Sequence, residues 1–347
     1  MTNTAAAQDR VILNGVPGSP YTRKMLALLR YRRIPYRLIL ASHGAAGLPT
    51  AKVSLLPTFY FPDANGELVA VNDSTPILRR LEREHAGRSA RPSNPALAFL
   101  DALIEDYGDE WLTKAMFHYR WAYEADIARA SAILPAWRRA QTSDESLKAM
   151  GKEVAGRQIP RLRYVGSNEV TGPIIEASYK RFLDAFEAHL RDHPFFLGAR
   201  PGAGDFGCYG QLTQLALFDP TPMAVTEARA PRVFAWTGAV EDLSGLEPTE
   251  ADWFDPTALP ETVRAILSEI GRVYVPLLLA NAKALRDRAE QVDTVIDGGR
   301  WVQQPFTYQG KCLQWLREEY AALGATDRKA ADAALAGSGC EALLQGL

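Results

Sequence analysis

VILNGVPGSPYTRK, residues 11–24, decides how the rest of the chain is read. Val11, Ile12 and Leu13 form a short β-branched and apolar run of the kind that makes a buried strand. Asn14 to Gly18 then breaks the run with two glycines and a proline. Ser19 precedes Pro20, whose missing N–H suits it to the first turn of a helix. Met25, Leu26, Leu28 and Leu29 continue as a helical apolar stripe, which leaves Arg23, Lys24, Arg30, Arg32 and Arg33 for solvent. Ser19 therefore stands where a strand ends and a helix begins. Unpaired N–H groups and the positive end of the helix dipole converge there, a setting that suits an anion, a thiolate included. A plain N-cap is the competing reading of the same serine.

Beyond this helix, Tyr36 to Leu40 reads as a second strand and Ala41 to Ser54 as a loop rich in Gly, Ala and Ser. Leu55 to Phe61 reads as a third strand, with Pro57 near its start because proline cannot donate to a ladder. Asp63-Ala64-Asn65-Gly66 is a hairpin turn, its Asn-Gly pair supplying positive φ at little cost. Leu68 to Val71 is the returning strand, and Asn72-Asp73-Ser74-Thr75-Pro76 caps a helix running to about His85. The order β-α-β, loop, β-β-α makes a compact α/β unit of mixed sheet, in the thioredoxin-like order.

Gly87 to Pro95 has linker composition, and beyond it the periodicity is helical. Helices are expected within Ala96–Arg129, Gly172–Arg191, Asp205–Phe218, Pro231–Leu243, Leu259–Arg288 and Lys311–Leu323. A short strand-like segment is expected at Trp301 to Tyr308, while the stretches around 141–146 and 157–163 carry weak signals. The chain of 347 residues is too long for one typical domain. The division expected is an α/β domain over 1–87, a linker over 88–95 and an all-α domain over 96–347.

A net charge of −2 gives no general attraction to nucleic acid or anionic membrane, so neither is expected as a partner. The N-terminal MTNTAAAQDR has no apolar stretch of signal-peptide type, and no apolar run is long enough to span a bilayer. Three cysteines in no metal-like spacing and five unpaired histidines point to a reducing, cytoplasmic setting without a metal site.

The Ser-Pro-Tyr-Thr-Arg-Lys run at 19–24 resembles the first active-site segment of cytosolic glutathione transferases of the serine type. Glutaredoxins carry Cys-Pro-Tyr-Cys at this place. Here Ser19 and Thr22 are hydroxyls, which excludes dithiol exchange from this site. Pro57 opening the third strand, and Asp73-Ser74 starting the following helix, resemble the rest of that family's glutathione site. Pro76 departs slightly from the usual pattern. The resemblance implies that Ser74 and nearby helix N–H groups take the γ-glutamyl carboxylate and that Asp73 accepts from its ammonium. It implies that Leu56, ahead of a cis Pro57, pairs its backbone with the cysteinyl unit. Ser19 would then donate toward the sulfur. A free thiol has a pKa of about 8.5, so lowering it by about 2 units makes most of it reactive near neutrality.

Several further features go with the resemblance. Asp205 matches an acidic helix-start cue whose usual Ser or Thr partner is replaced by Gly202, and it is read as structural. Tyr107, Trp111 and His118, with Tyr119 and Trp121, are candidates for an apolar electrophile pocket, helix core being the competing reading. Arg157, Arg161 and Arg163 are read as a solvated face, and Cys208 as buried and inert. A homodimer using glutathione as co-substrate on a small hydrophobic electrophile is implied, with no metal. Family members typically end near Leu246, so about a hundred residues lie beyond the resemblance. The alternative is a non-catalytic scaffold of the same fold, whose extra helices bind a protein partner.

Overall fold

A computed structural model describes residues 10–40 and 47–345. The loop expected over Ala41 to Ser54 falls partly outside them. Strand β1 (Val11–Asn14) runs into helix α1 (Pro20–Tyr31), which Ser19 caps in extended conformation with Pro20 in the first turn. Strand β2 (Tyr36–Ile39) lies parallel to β1. Strand β3 (Thr58–Pro62) pairs antiparallel with β1, and β4 (Leu68–Val71) antiparallel with β3. The sheet order is β2-β1-β3-β4, the thioredoxin-like arrangement. The β3–β4 turn is held by Asp63, whose Oδ1 accepts from the N–H groups of Asn65 and Glu67, with Gly66 at φ 83°. The Leu56–Pro57 peptide bond is cis. Helix α2 (Ser74–Glu84) follows.

The remainder is mostly helical: α3 (Pro95–Tyr107), α4 (Thr113–Ala122), α5 (Glu124–Arg138), α6 (Asp144–Gln158), α7 (Gly172–His189), α8 (Ala203–Leu215), α9 (Pro220–Arg229), α10 (Pro231–Ala239), α11 (Glu261–Asp287), α12 (Thr307–Ala321) and α13 (Ala325–Leu335). A π-helical turn, Gly108–Leu112, joins α3 to α4. Three of these helices were not expected: α6 is polar, α9 begins among prolines, and α13 is the alanine-rich tail. The expected segment Trp301 to Tyr308 is corrected to a hairpin, β5 (Val292–Ile296) and β6 (Gly299–Gln303), turned at Asp297-Gly298 with both φ positive. The C-terminal part is thus not purely helical.

Helix α8 is buried along its whole length and is the axis of the packing. Gly210 lets it approach α1: a Cβ there would stand 2.6 Å from the carbonyl oxygen of Pro20. Gly108 likewise lies where a Cβ would meet the backbone N of Cys208 at 2.8 Å. Two buried carboxylates anchor this helix. Asp101 accepts from the N–H groups of Ala203 and Gly204, and Asp205 from those of Gly202 and Phe196. Asp205 thus closes the loop back onto its own helix start. Cys208 is fully buried, and the side chains of Arg157, Arg161 and Arg163 are exposed.

The residues beyond 246 fold back onto this frame. Helix α11 packs against α7 and α12, and α12 and α13 pack against α3. Trp301 of the hairpin is fully buried against Trp111.

Candidate functional site

Three segments meet at one end of the sheet, after β1, before β3 and after β4. Ser19, half-buried at the start of α1, accepts a bond from the N–H of Thr22 at 3.3 Å and donates from Oγ to the carbonyl of Leu56 at 3.3 Å. The cap and the hydroxyl's bond to the Leu56 segment thus coexist at one residue. Asn72 donates to the carbonyls of Leu55 and Pro57, at 3.1 and 3.4 Å, and so ties that segment to the start of α2. Asp73 and Ser74 come next. Hydrogen bonds thus join Ser19 to Leu56, and Leu55 and Pro57 to Asn72, the residue that precedes Asp73 and Ser74.

Asp73 sits at φ 84°, ψ 109°, a region costly for a residue with a Cβ. Its side chain makes no capping bond of ordinary geometry to α2, although the nearby N–H of Thr75 favours its charged form. Instead its Oδ1 accepts from the hydroxyl of Tyr308, on α12, at 2.8 Å. Burial raises its carboxyl above the usual range, opposed by the Tyr308 hydrogen bond and the charge of Lys24.

Lys24 corrects an expectation: it is 0% exposed, not on the solvent face of α1. Its Nζ lies 2.6 Å from Glu105 and 2.5 Å from Asp109, and donates to Ser74 Oγ at 3.3 Å. Burial alone would lower the ammonium's pKa, but the charges of Asp109 and Glu105 outweigh it and raise it. Ser74 Oγ donates in turn to Asp109 at 3.4 Å, and Thr75 Oγ1 to Glu105 at 3.1 Å. The Ser74 hydroxyl is thus engaged within the protein. What this helix start still offers an anion is its first backbone N–H groups, beside a buried ammonium.

The π-helical turn organises the acids. Glu105 and Asp109 form one pair four residues apart facing Lys24, and Asp106 and Glu110 form a second pair. Asp106 accepts from the hydroxyl of Tyr274 at 2.6 Å, and Glu110 from Gln309 at 3.2 Å. Burial, then the charges of Asp106 and Asp109, pushes Glu110 up to about 8, while burial pushes Asp106 up to about 7.

The residues expected to line an electrophile pocket are placed otherwise. Tyr107 is fully buried against Phe182 and Tyr274. Trp111 is fully buried and donates its Nε1 to Ser178 at 2.9 Å. His118 is buried with its ring bonded to Ser167 and Glu176, and burial lowers its pKa. Tyr119 and Trp121 are buried as well. These side chains belong to the core because α3, the π-turn and α4 are covered on several sides by α7, α8 and the hairpin. Beside Ser19 stand two half-buried side chains of α5 that sequence reasoning missed. A Cβ on Gly18 would meet Leu134 at 2.3 Å and Trp137 at 3.0 Å. Their three-residue spacing on a helix was the signal available.

The arrangement can hold a zwitterionic peptide end between Asp73 and the start of α2, extend its middle along Leu56, and set a hydroxyl at Ser19 beside an apolar wall.

Models of the glutathione S-transferase N-terminal domain and of the glutathione S-transferase C-terminal domain match residues 13–89 and 122–239. Comparison with curated proteins gives no match. Similar solved structures include a glutathione S-transferase of Methylobacterium radiotolerans in complex with glutathione sulfonate. It is 19% identical, with 72% of this chain and 98% of that one covered at a TM-score of 0.38. A glutathione transferase of Burkholderia graminis, with two glutathione molecules bound per subunit, is 15% identical over 76% of this chain and 90% of its own, at 0.42. A GST-like protein of Pseudomonas syringae is 15% identical over 73% and 78%, at 0.39. The two domain models lie in order and together take in more than half of the sequence. The chain belongs to the glutathione S-transferase superfamily.

Proposed function

We propose that the protein is a glutathione transferase that binds glutathione along Leu56, Pro57, Asp73 and Ser74, and conjugates its thiolate to a small electrophile beside Ser19. One observation carries this reading: Ser19, the Leu56 backbone and the Asp73-Ser74 helix start share one neighbourhood, with Ser19 Oγ 3.3 Å from the Leu56 carbonyl. Asp73 suits the γ-glutamyl ammonium, and the first N–H groups of α2 suit its carboxylate. The backbone of Leu56 suits the cysteinyl unit. A sulfur placed there competes with the Leu56 carbonyl for the Ser19 hydroxyl. The hydroxyl and the dipole of α1 then favour the thiolate over the thiol, the nucleophile the reaction needs. Holding both reactants against one another supplies the rest of the acceleration. Leu134 and Trp137 are the apolar wall for the electrophile.

The same proposal carries a homodimer in the cytoplasm. No helix among the described residues is long and apolar enough to cross a membrane. The test is retention on immobilised glutathione together with conjugation of a generic aryl halide. Ser19→Ala is expected to keep the retention and lose at least about tenfold in conjugation, roughly the 1.4 kcal/mol of one hydrogen bond to a charged sulfur. A wild-type protein that neither binds nor conjugates removes the enzymatic reading.

A further inference from the structure

Asp73 is met by a side chain 235 positions further along the chain, and the proposed function does not by itself call for that contact. We propose that Tyr308 is a positioning residue of the glutathione site: its hydroxyl holds one carboxylate oxygen of Asp73 and leaves the other for the γ-glutamyl ammonium. The segment beyond residue 246 thereby completes a site that the first ninety residues leave unfinished. This inference rests on the glutathione reading above.

The geometry of Asp73 shows the need. Its backbone lies in a region that a residue with a Cβ adopts only where its surroundings impose it. No capping bond of ordinary geometry to α2 restrains the side chain, and the Thr75 N–H favours its charged form less than the Tyr308 hydroxyl does. The bond it does make, at 2.8 Å, comes from α12.

That tyrosine is delivered to a fixed place. The buried Asn281 of α11 grips the backbone of Phe306 from both sides, donating to its carbonyl at 2.9 Å and accepting from its N–H at 2.8 Å. The Tyr308 ring then stands edge-on to Trp315, with centroids 6.0 Å apart. The next residue, Gln309, is buried and donates to Glu110 at 3.2 Å. One turn on, Cys312 is buried beside Asp106. The first turn of α12 is thus tied to α11 on one side and to the acids of α3 and the π-turn on the other.

The charged and titratable groups around Asp73 are Tyr308 from α12, Lys24 from α1, and Glu105 and Asp109 from α3 and the π-turn. Two of these are acids, which oppose ionisation of Asp73. Tyr308 is kept in its protonated, donating form by burial and by the charge of Asp73 itself. Removing that hydroxyl takes away a hydrogen bond to the charged form of Asp73. The carboxyl then protonates at a higher pH, and a protonated Asp73 no longer pairs with an ammonium. A positioning role therefore predicts a shift on the acid side of the binding profile, which looser packing alone does not produce.

The experiment titrates S-methylglutathione into the full-length protein and into Tyr308→Phe by calorimetry, between pH 5 and 8. The variant removes a single oxygen and keeps the ring against Trp315. Expected is a Kd about tenfold weaker at pH 7, with the acid limb of binding displaced to higher pH. Unchanged or tighter binding overturns the inference, and so does weaker binding with the acid limb unmoved, which marks a packing defect only. A wild-type protein that takes up no S-methylglutathione overturns the glutathione reading itself, and is told apart by failing before any substitution is made.

Discussion

Replacing Lys24 by methionine removes one positive charge from a place no solvent reaches. The ammonium is 0% exposed and lies 2.6 and 2.5 Å from two carboxylates that are themselves nearly inaccessible. Removing one partner of a buried pair costs about 3–5 kcal/mol, because the charge left behind has neither water nor counter-ion. For a chain of 347 residues that corresponds to a fall in Tm of roughly 4–7 °C. The dependence on pH is the sharper signature. In the wild type, burial acts to raise Glu105, but the charge and hydrogen bond of Lys24 outweigh it and hold the carboxyl below its usual range. Its contribution is present above the unfolded carboxyl pKa and is lost as pH falls through the folded one. Without Lys24, burial raises both Glu105 and Asp109, opposed only by the charge of Arg79 at Glu105 and by the hydroxyls of Ser74 and Thr75. The folded state then binds more protons than the unfolded state, and stability falls as pH rises, by about 1.4 kcal/mol per unit for each proton involved. The deficit of Lys24→Met should therefore be large at pH 8 and much smaller at pH 5.5. Thermal unfolding followed by tryptophan fluorescence at the two pH values reads both. A deficit equal at both, or below about 1 kcal/mol at pH 8, would refute the account of Lys24 as the counter-ion of this acid cluster.

Glu110→Gln should raise Tm at pH 8 relative to the wild type and leave it nearly unchanged at pH 5. Burial and the charge of Asp106 push the Glu110 carboxyl up to about 8, so the wild type loses stability as pH climbs from its unfolded value toward 8, and the amide does not titrate. Gly210→Ala should cost about 1–3 kcal/mol by forcing α8 away from α1, since the new Cβ would stand 2.6 Å from the Pro20 carbonyl. Gly238→Ala, in the last turn of α10 with nothing within 4 Å of the new Cβ, should instead gain up to about 1 kcal/mol, and denaturant midpoints of the two variants give the comparison. Ser19→Ala should lose about 1 kcal/mol with the cap to Thr22, read as a shift in urea midpoint independent of any effect on conjugation.

Much of the fold was legible because its determinants are local. The β1–α1 junction follows from Gly15 to Pro20, the β3–β4 hairpin from Asn65-Gly66, and the long helices from their apolar period. The misses were segments whose stability comes from elsewhere. Helix α6 has little apolar stripe of its own, and α13 is held by alanines set against α3. The β5–β6 hairpin did carry a signal, Asp297-Gly298 between apolar runs, whereas the strand-like reading of Trp301 to Tyr308 covers only the last part of β6 and runs past it.

The candidate site divides along the same line. Residue type and spacing placed Ser19, Pro57 and Asp73-Ser74 at strand ends and helix starts, which are written in neighbouring residues, and the resemblance carried by those residues made them, with Leu56, site candidates. Only the tertiary structure decided that Lys24 is the buried counter-ion of Glu105 and Asp109, that Tyr107, Trp111 and His118 are core, and that Tyr308 reaches Asp73. The physical reason is that burial and charge pairing are properties of what arrives from distant positions. A lysine on a helix flank reads as solvated until a helix eighty residues later brings two carboxylates to it.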